Sequence, residues 1–205
     1  MTMSKLAIAS NLSAAVCVVA LFISIGTGAA AASQSADDFI RTVGRQAIDS
    51  LTGKNLSEVQ RQTRFRTILN DKFEVPLIAR FALGRYWRQA SEQQRKEYVD
   101  LFEDFIVQAY TALFRDYNGE TFTVGKVREV NQSDATVESQ LALKDGRKIV
   151  VFWRVRGKDD PKIVDVIVEG VSMVITQRDE FAAIINRNGG TVDGLLDALR
   201  KKNKK

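Results

Sequence analysis

Residues 135–156 read ATVESQLALKDGRKIVVFWRVR, and this stretch decides the fold. Two apolar runs flank Asp145-Gly146, a dipeptide that takes the positive-φ backbone of a type I′ hairpin turn with little strain. In the first run Ala135, Val137, Leu141 and Leu143 fall on one parity, as in a strand with one buried face. The second run, Ile149 to Val155, is apolar at both parities and reads as the central strand of a sheet. A further run, Thr121 to Val130, precedes the hairpin. Another, Lys162 to Glu169, follows it across Gly157-Lys158-Asp159-Asp160-Pro161. Connections this short join antiparallel neighbours, so strands at 121–130, 135–144, 147–156 and 162–169 form a four-stranded meander.

Helical patterns lie on both sides of the meander. Asp37 and Asp38 open a helix in which Phe39, Val43 and Ala47 recur every four residues, until Thr52-Gly53-Lys54 stops it. A second begins near Ser57-Glu58 and ends at Glu74-Val75-Pro76, because the residue before proline is pushed out of the helical region. A short helix from Leu77 to Leu83 is closed by Gly84. Ser91 and Gln94 make a capping box before the longest helix, Glu92 to Asp116. The apolar residues of that helix cover an arc of about 220°, against the roughly 100° of a helix lying on one core, so it is covered on two sides. After Gly170 helices follow at Thr176–Asn188 and beyond Thr191, with Leu195, Leu196 and Leu199 inward. The fold class is α+β: helices packed on one face of a curved four-stranded antiparallel sheet.

Composition narrows the chemistry. The chain of 205 residues has no histidine and a single cysteine, Cys17, which excludes Ser-His-Asp and Cys-His triads, imidazole metal sites, internal disulfides and zinc clusters. Its net charge of +5 is concentrated at one end. Five basic residues fall within Arg200–Lys205 and another, Lys5, lies near the start, so the body stands at −1. A nucleic-acid partner, which calls for cations spread over a face, is therefore not expected. The tail from about residue 200 reads as a solvated, frayed end, with weak attraction to anionic headgroups as the alternative.

From Leu6 to Ala36 no charge occurs. Lys5, an apolar core of about 14 residues and the small residues Gly26 to Ala32 have the plan of a secretory signal peptide, cut after Ala30 or Ala32; a spanning helix needs ~20. Val16 stands where lipoprotein processing needs a small residue, so lipidation at Cys17 is not expected. Residues 1–32 are thus read as a cleaved signal and 33–205 as a single domain, cysteine-free after cleavage, which suits a bacterial periplasm.

No Walker or Rossmann glycine loop occurs, and no catalytic residue or metal ligand is assigned. Asp165 and Glu169 interrupt apolar strand residues; an ion pair with Arg178 or a neighbouring strand accounts for them better than a glycosidase-like acid/base pair. Apolar surface is what the chain offers. Nine of its 17 aromatic residues fall between Phe81 and Tyr117, including all four tyrosines. They suit either a filled core or a cavity lined by apolar residues with polar tips near its mouth.

Gly84-Arg85-Tyr86-Trp87-Arg88-Gln89-Ala90-Ser91, followed by Gln94-Arg95 and the aromatic helix, resembles the MlaC family of periplasmic lipid carriers, also called the toluene-tolerance auxiliary family. Asp165 to Ser172, Gln177 to Phe181, Gly189-Gly190 and Leu195-Leu196 are similar to the same family's C-terminal signature. The resemblance covers nearly all of residues 33–205. It implies a monomeric carrier, not an enzyme, whose helices and twisted sheet enclose the acyl chains of a glycerophospholipid. The carrier works without a cofactor, the lipid being cargo. Its implied partners are an outer-membrane lipoprotein–porin complex and an inner-membrane ABC transporter bearing an MCE-domain ring. Phe81, Tyr86, Trp87, Leu101, Phe105, Val137, Leu141, Val151, Trp153 and Val166 are the expected lipid-lining residues. Arg178 and Ser172 are read as structural anchors, with a headgroup role as the alternative. A movable mouth is expected at Pro76–Ser91, between a proline and a helix-closing glycine. The competing readings are a hopanoid or other polycyclic cargo, and an assembly module whose apolar face meets only protein.

Overall fold

The hairpin around Asp145-Gly146 organises the sheet. Only Gly146 of the pair takes a positive φ, 86°, so the turn is not the expected type I′; the Gly146 N–H donates to the Leu143 carbonyl at 3.1 Å. In this computed structural model, which describes residues 35–204 apart from 116 and 118, the strands are β1 (Thr121–Glu129), β2 (Asp134–Ala142), β3 (Lys148–Arg156), β4 (Lys162–Val168) and β5 (Val171–Ser172). The signal-peptide reading of residues 1–32 lies outside the described residues. All strand neighbours are antiparallel, in the order β1-β2-β3-β4-β5. The sheet has five strands rather than the four expected from sequence. Glu169 and Gly170, at φ 50° and 82°, fold the chain back so that Val171 and Ser172 pair with Val168 and Ile167. A two-residue strand is too short to show any alternation.

The described residues form six α-helices, α1 (Ala36–Leu51), α2 (Glu58–Lys72), α3 (Val75–Leu83), α4 (Glu92–Arg115), α5 (Met173–Arg187) and α6 (Val192–Asn203), of which α1 lies on the sheet's inner face and α6 packs on α4 and α5. A 3₁₀ turn at Gly84–Arg88 joins α3 to α4. Both Ser57/Gln60 and Ser91/Gln94 form reciprocal capping boxes. Helix α5 begins three residues before its expected start, because the Ser172 hydroxyl accepts from the Ile175 N–H and so caps it.

Residues 200–203 are not frayed. They complete the last turn of α6. Arg200 bonds Asp197 and Glu97 of α4, Lys202 sits 4.4 Å from the Phe105 ring centre, and the Asn203 side chain donates to the Leu101 carbonyl at 3.0 Å. Buried Leu195, Leu196 and Leu199 anchor the helix, and cations at its end suit the helix dipole.

Residues 33–205 form one compact unit. Its buried residues fall into two clusters. Among α3, α4, α5 and α6, Tyr98, Phe102 and Phe105 pack around Phe181 with ring centres 5.8–6.1 Å apart. Between α1 and the sheet, Phe39, Ile40 and Val43 meet Val137, Val155 and Ile163. Arg66 of α2 bridges Glu103 and Asp104 of α4, holding two helices over the space that separates these clusters.

Candidate functional site

That space is a cavity of about 580 Å³, open at one end and lined by side chains that also obey the helix and strand periods. From α1 come Val43, Ala47 and Ile48; from α2, Phe65, Ile68 and Leu69. Helix α4 contributes Phe102, Ile106, Tyr110, Leu113 and Phe114, a face spaced by three and four residues. Its other face, with Tyr98 and Phe105, packs in the helical core. The two-sided helix therefore separates a filled core from a hollow one.

The sheet supplies the opposite wall through one parity. Register pairs Val137 with Trp153 and Leu141 with Ile149 across β2–β3, and Trp153 with Val166 and Val151 with Val168 across β3–β4. Phe122 of β1 stands edge-on to Trp153, ring centres 6.3 Å apart, and reaches close to Gly44 of α1. Polar atoms in this wall are satisfied internally. The Trp153 indole N–H donates to the Ser139 hydroxyl at 2.8 Å, and that hydroxyl donates to the Val151 carbonyl at 3.2 Å. Burial, and then the negative charge of Glu180, hold the Tyr110 hydroxyl above the ordinary tyrosine pKa, so it is a neutral group facing the cavity. Leu113 lines the cavity yet is 66% exposed, which marks the opening beside Tyr117, Glu120 and Leu143.

Of the residues expected to line a lipid site, Leu141, Val151, Trp153 and Val166 lie in this wall. The other six lie elsewhere. Val137 shares the parity of Trp153 but is fully buried beneath α1. Phe105, Leu101, Tyr86 and Trp87 pack in or against the helical core. The Tyr86 hydroxyl donates to Asn186 at 3.0 Å, and Arg95 donates to the Trp87 carbonyl while its guanidinium lies 5.5 Å from the Trp87 ring centre. Phe81 is 56% exposed and points to the sheet's other face. Sequence reasoning passed over Val43, Ala47 and Ile48, although their spacing was visible, and the Phe102–Ile106–Tyr110–Phe114 row.

The expected mouth at Pro76–Ser91 is packed against the helical core. Ala79, Ala82, Leu83, Tyr86 and Ala90 are buried, and the Tyr98 hydroxyl donates to the Ala79 carbonyl at 3.0 Å. The aliphatic stem of Arg178 packs on Gly84, whose φ of 59° and lack of Cβ allow the approach. Arg178 thus ties the two signature stretches together. Asp165, nearly buried, accepts from the Ser172 hydroxyl at 2.7 Å and the Val174 N–H at 3.3 Å, with Arg154 of β3 at 3.7 Å. Glu169 accepts instead from the Val150 N–H at the sheet's end. The two carboxylates therefore serve separate backbone anchors and do not form a reacting pair.

Among the described residues no helix is long and apolar enough to cross a membrane, and no cluster of carboxylates could hold a metal ion. The chain is similar to a toluene tolerance protein, ttg2D, of Pseudomonas putida, 25% identical over 114 residues; the match spans 55% of this chain and about half (53%) of that protein. It is also similar to the intermembrane phospholipid transport system binding protein MlaC of Haemophilus influenzae, 22% identical over 77% of this chain and 78% of the relative. A phospholipid-binding protein from Ralstonia solanacearum, solved in complex with a phospholipid, shares the fold with a TM-score of 0.74 over 83% of this chain and 97% of that one, at 19% identity. The sequence model of the MlaC protein matches residues 41–201, and on that match, with the fold above, the chain belongs to the MlaC family.

Proposed function

We propose that the protein is a periplasmic lipid carrier that holds glycerophospholipid acyl chains in the cavity between α1, α2, α4 and the inner face of the sheet. The observation that carries this reading is the cavity itself: about 580 Å³, walled almost wholly by hydrocarbon, its polar atoms turned to internal partners. That volume falls within the roughly 300–1,000 Å³ of small-molecule sites. Shielding two 16-carbon chains from water is worth on the order of 20 kcal/mol, which a dry wall supplies and a surface groove does not. The chemistry required is burial and release; no bond is made and no cofactor is needed. The named relatives, one a phospholipid transport binding protein and one a structure with phospholipid bound, support the same reading. In this role the protein shuttles lipid between an outer-membrane lipoprotein–porin complex and an inner-membrane MCE-domain ABC transporter, entering the periplasm through a cleaved signal.

Native mass spectrometry of residues 33–205, purified without detergent from a Gram-negative periplasm and followed by lipid extraction, tests the reading. Near-stoichiometric diacyl phospholipid is the expected result. A polycyclic lipid in its place would change the cargo class. Bare protein that also takes up no lipid from vesicles would overturn the carrier.

A further inference from the structure

The sheet's outer face holds a second concavity, about 920 Å³, that none of the lipid-lining residues proposed above explains. Its floor is a cross-strand row, Glu138–Phe152–Ile167, beside a second row, Thr136–Arg154–Asp165. Phe81 of α3 and Ile175 of α5 stand on one wall, and Val127 and Val130 on the other. These four apolar residues are 38–58% exposed, and they surround half-buried Phe152 and Ile167. Single exposed apolar residues need no explanation, but a set gathered around one recess marks an interaction site.

The rim supplies the sign of the partner. Lys126, Arg128, Arg154, Arg156 and Arg178 line the recess against three carboxylates. Three of these cations are engaged, Arg156 with Asp134 at 3.1 Å, Arg178 with Asp179 at 3.3 Å and Arg154 with Asp165 at 3.7 Å, and of the three carboxylates only Glu138, in the floor, has no ion-pair partner among the described residues. Lys126 and Arg128 are exposed, and neither is in an ion pair among the described residues. On a body of net charge −1, such a cluster is a local excess aimed at something anionic.

Shape and sequence choose among anionic occupants. A recess with its apolar residues around a sunken floor admits an inserted segment, whereas a bilayer surface meets protruding groups. The chain's own leading residues are unsuitable, because no acidic residue occurs before Asp37. β1 is an edge strand, yet a bulge between Val124 and Val127 interrupts its ladder, so strand addition is blunted and side chains must carry recognition. We infer that this outer recess docks an amphipathic, acidic helix of a partner protein, its apolar face on Phe81, Phe152, Ile167 and Ile175 and its carboxylates on Lys126 and Arg128. Asp165 and Val174 line both this recess and the inner cavity, so the docked helix lies one wall away from the cargo.

The test uses two fluorescein-labelled synthetic helices with the same leucine face, one with glutamates and one with lysines on the polar face, titrated against the purified protein by anisotropy. The glutamate helix is expected to bind at least about tenfold more tightly than the lysine helix, and to weaken with added salt. Lys126→Glu/Arg128→Glu and Phe81→Asp, all at exposed positions, should each weaken it by about tenfold or more while thermal melting stays unchanged. Equal binding of both helices, or binding insensitive to both variants, overturns the assignment. So does preferential binding to phosphatidylglycerol vesicles through the same residues, or a concentration-dependent dimer that Phe81→Asp abolishes. Lipid content measured on the same samples separates this result from the carrier reading: peptide binding by lipid-free protein would leave the docking site standing and remove the cargo.

Discussion

Trp153 illustrates the cost of placing a polar atom in a hydrocarbon wall. Its indole N–H is satisfied only by Ser139, which is itself fully buried. Ser139→Ala would strand that donor and is expected to cost about 1–3 kcal/mol in urea denaturation. Ser139→Ala with Trp153→Phe removes both partners, so the double variant should recover part of the loss; strict additivity would show that the bond is not the cause. Tyr98 is the second instructive residue. It is buried, donates to the Ala79 carbonyl, and burial pushes its pKa well above the ordinary 10.0. The fold thus favours the protonated phenol. Its contribution is complete below pH 10 and is lost as the pH climbs from there toward the raised folded value. The melting temperature should fall above about pH 10, and Tyr98→Phe should flatten part of that slope while costing about 1 kcal/mol at neutral pH. An unchanged alkaline slope in the variant would assign the loss to other groups.

At the scale of elements, α1 depends on a glycine at a helix-interior position. Gly44→Ala would ordinarily gain about 1 kcal/mol of helix propensity. Here a Cβ would collide with the Phe122 ring, which is held on its far side by Trp153. Phe122 also lines the cavity, so the variant is expected to be no more stable than the parent and to carry less lipid. A gain of the full propensity term with unchanged lipid content would show that Phe122 has room to move. Most elements were legible because burial imposes a period and caps have a chemistry: Phe39, Val43 and Ala47 on α1, the alternation of β2, the capping box at Ser91. β5 and the early start of α5 were not, since both depend on a Glu169–Gly170 turn and a Ser172–Asp165 contact between residues of different elements.

For the whole molecule the decisive feature is that two cores flank a hollow one. Filling the hollow separates carriage from stability. Val151→Trp, at the centre of the sheet wall, should leave melting unchanged or raised, as cavity-filling substitutions do. Displacing even two buried methylenes costs the cargo about 1.6 kcal/mol, or roughly tenfold in occupancy. Retained lipid in a folded Val151→Trp protein would place the cargo elsewhere, the outer recess being the first position to examine.

The end of α2 and the starts of α3 and α5 lay two or three residues from where the sequence put them, but the α+β class, the antiparallel meander, the order of the helices and, through two separated motifs, the family resemblance came from the sequence. These follow from local turn chemistry and from the periods that one buried face imposes. Which aromatic residues fill a core and which border a void was decided only in the tertiary structure. Phe105 and Phe102 have the same chemistry and lie on one helix, yet Phe105 packs on Phe181 in the helical core while Phe102 also reaches the cavity. Periodicity records that a side chain leaves water, and it carries no mark of whether the volume opposite is occupied. The outer recess was hidden for a related reason: Phe81, Phe152 and Ile175 come from three elements, and only the packing of α3 and α5 against the sheet brings them to one face.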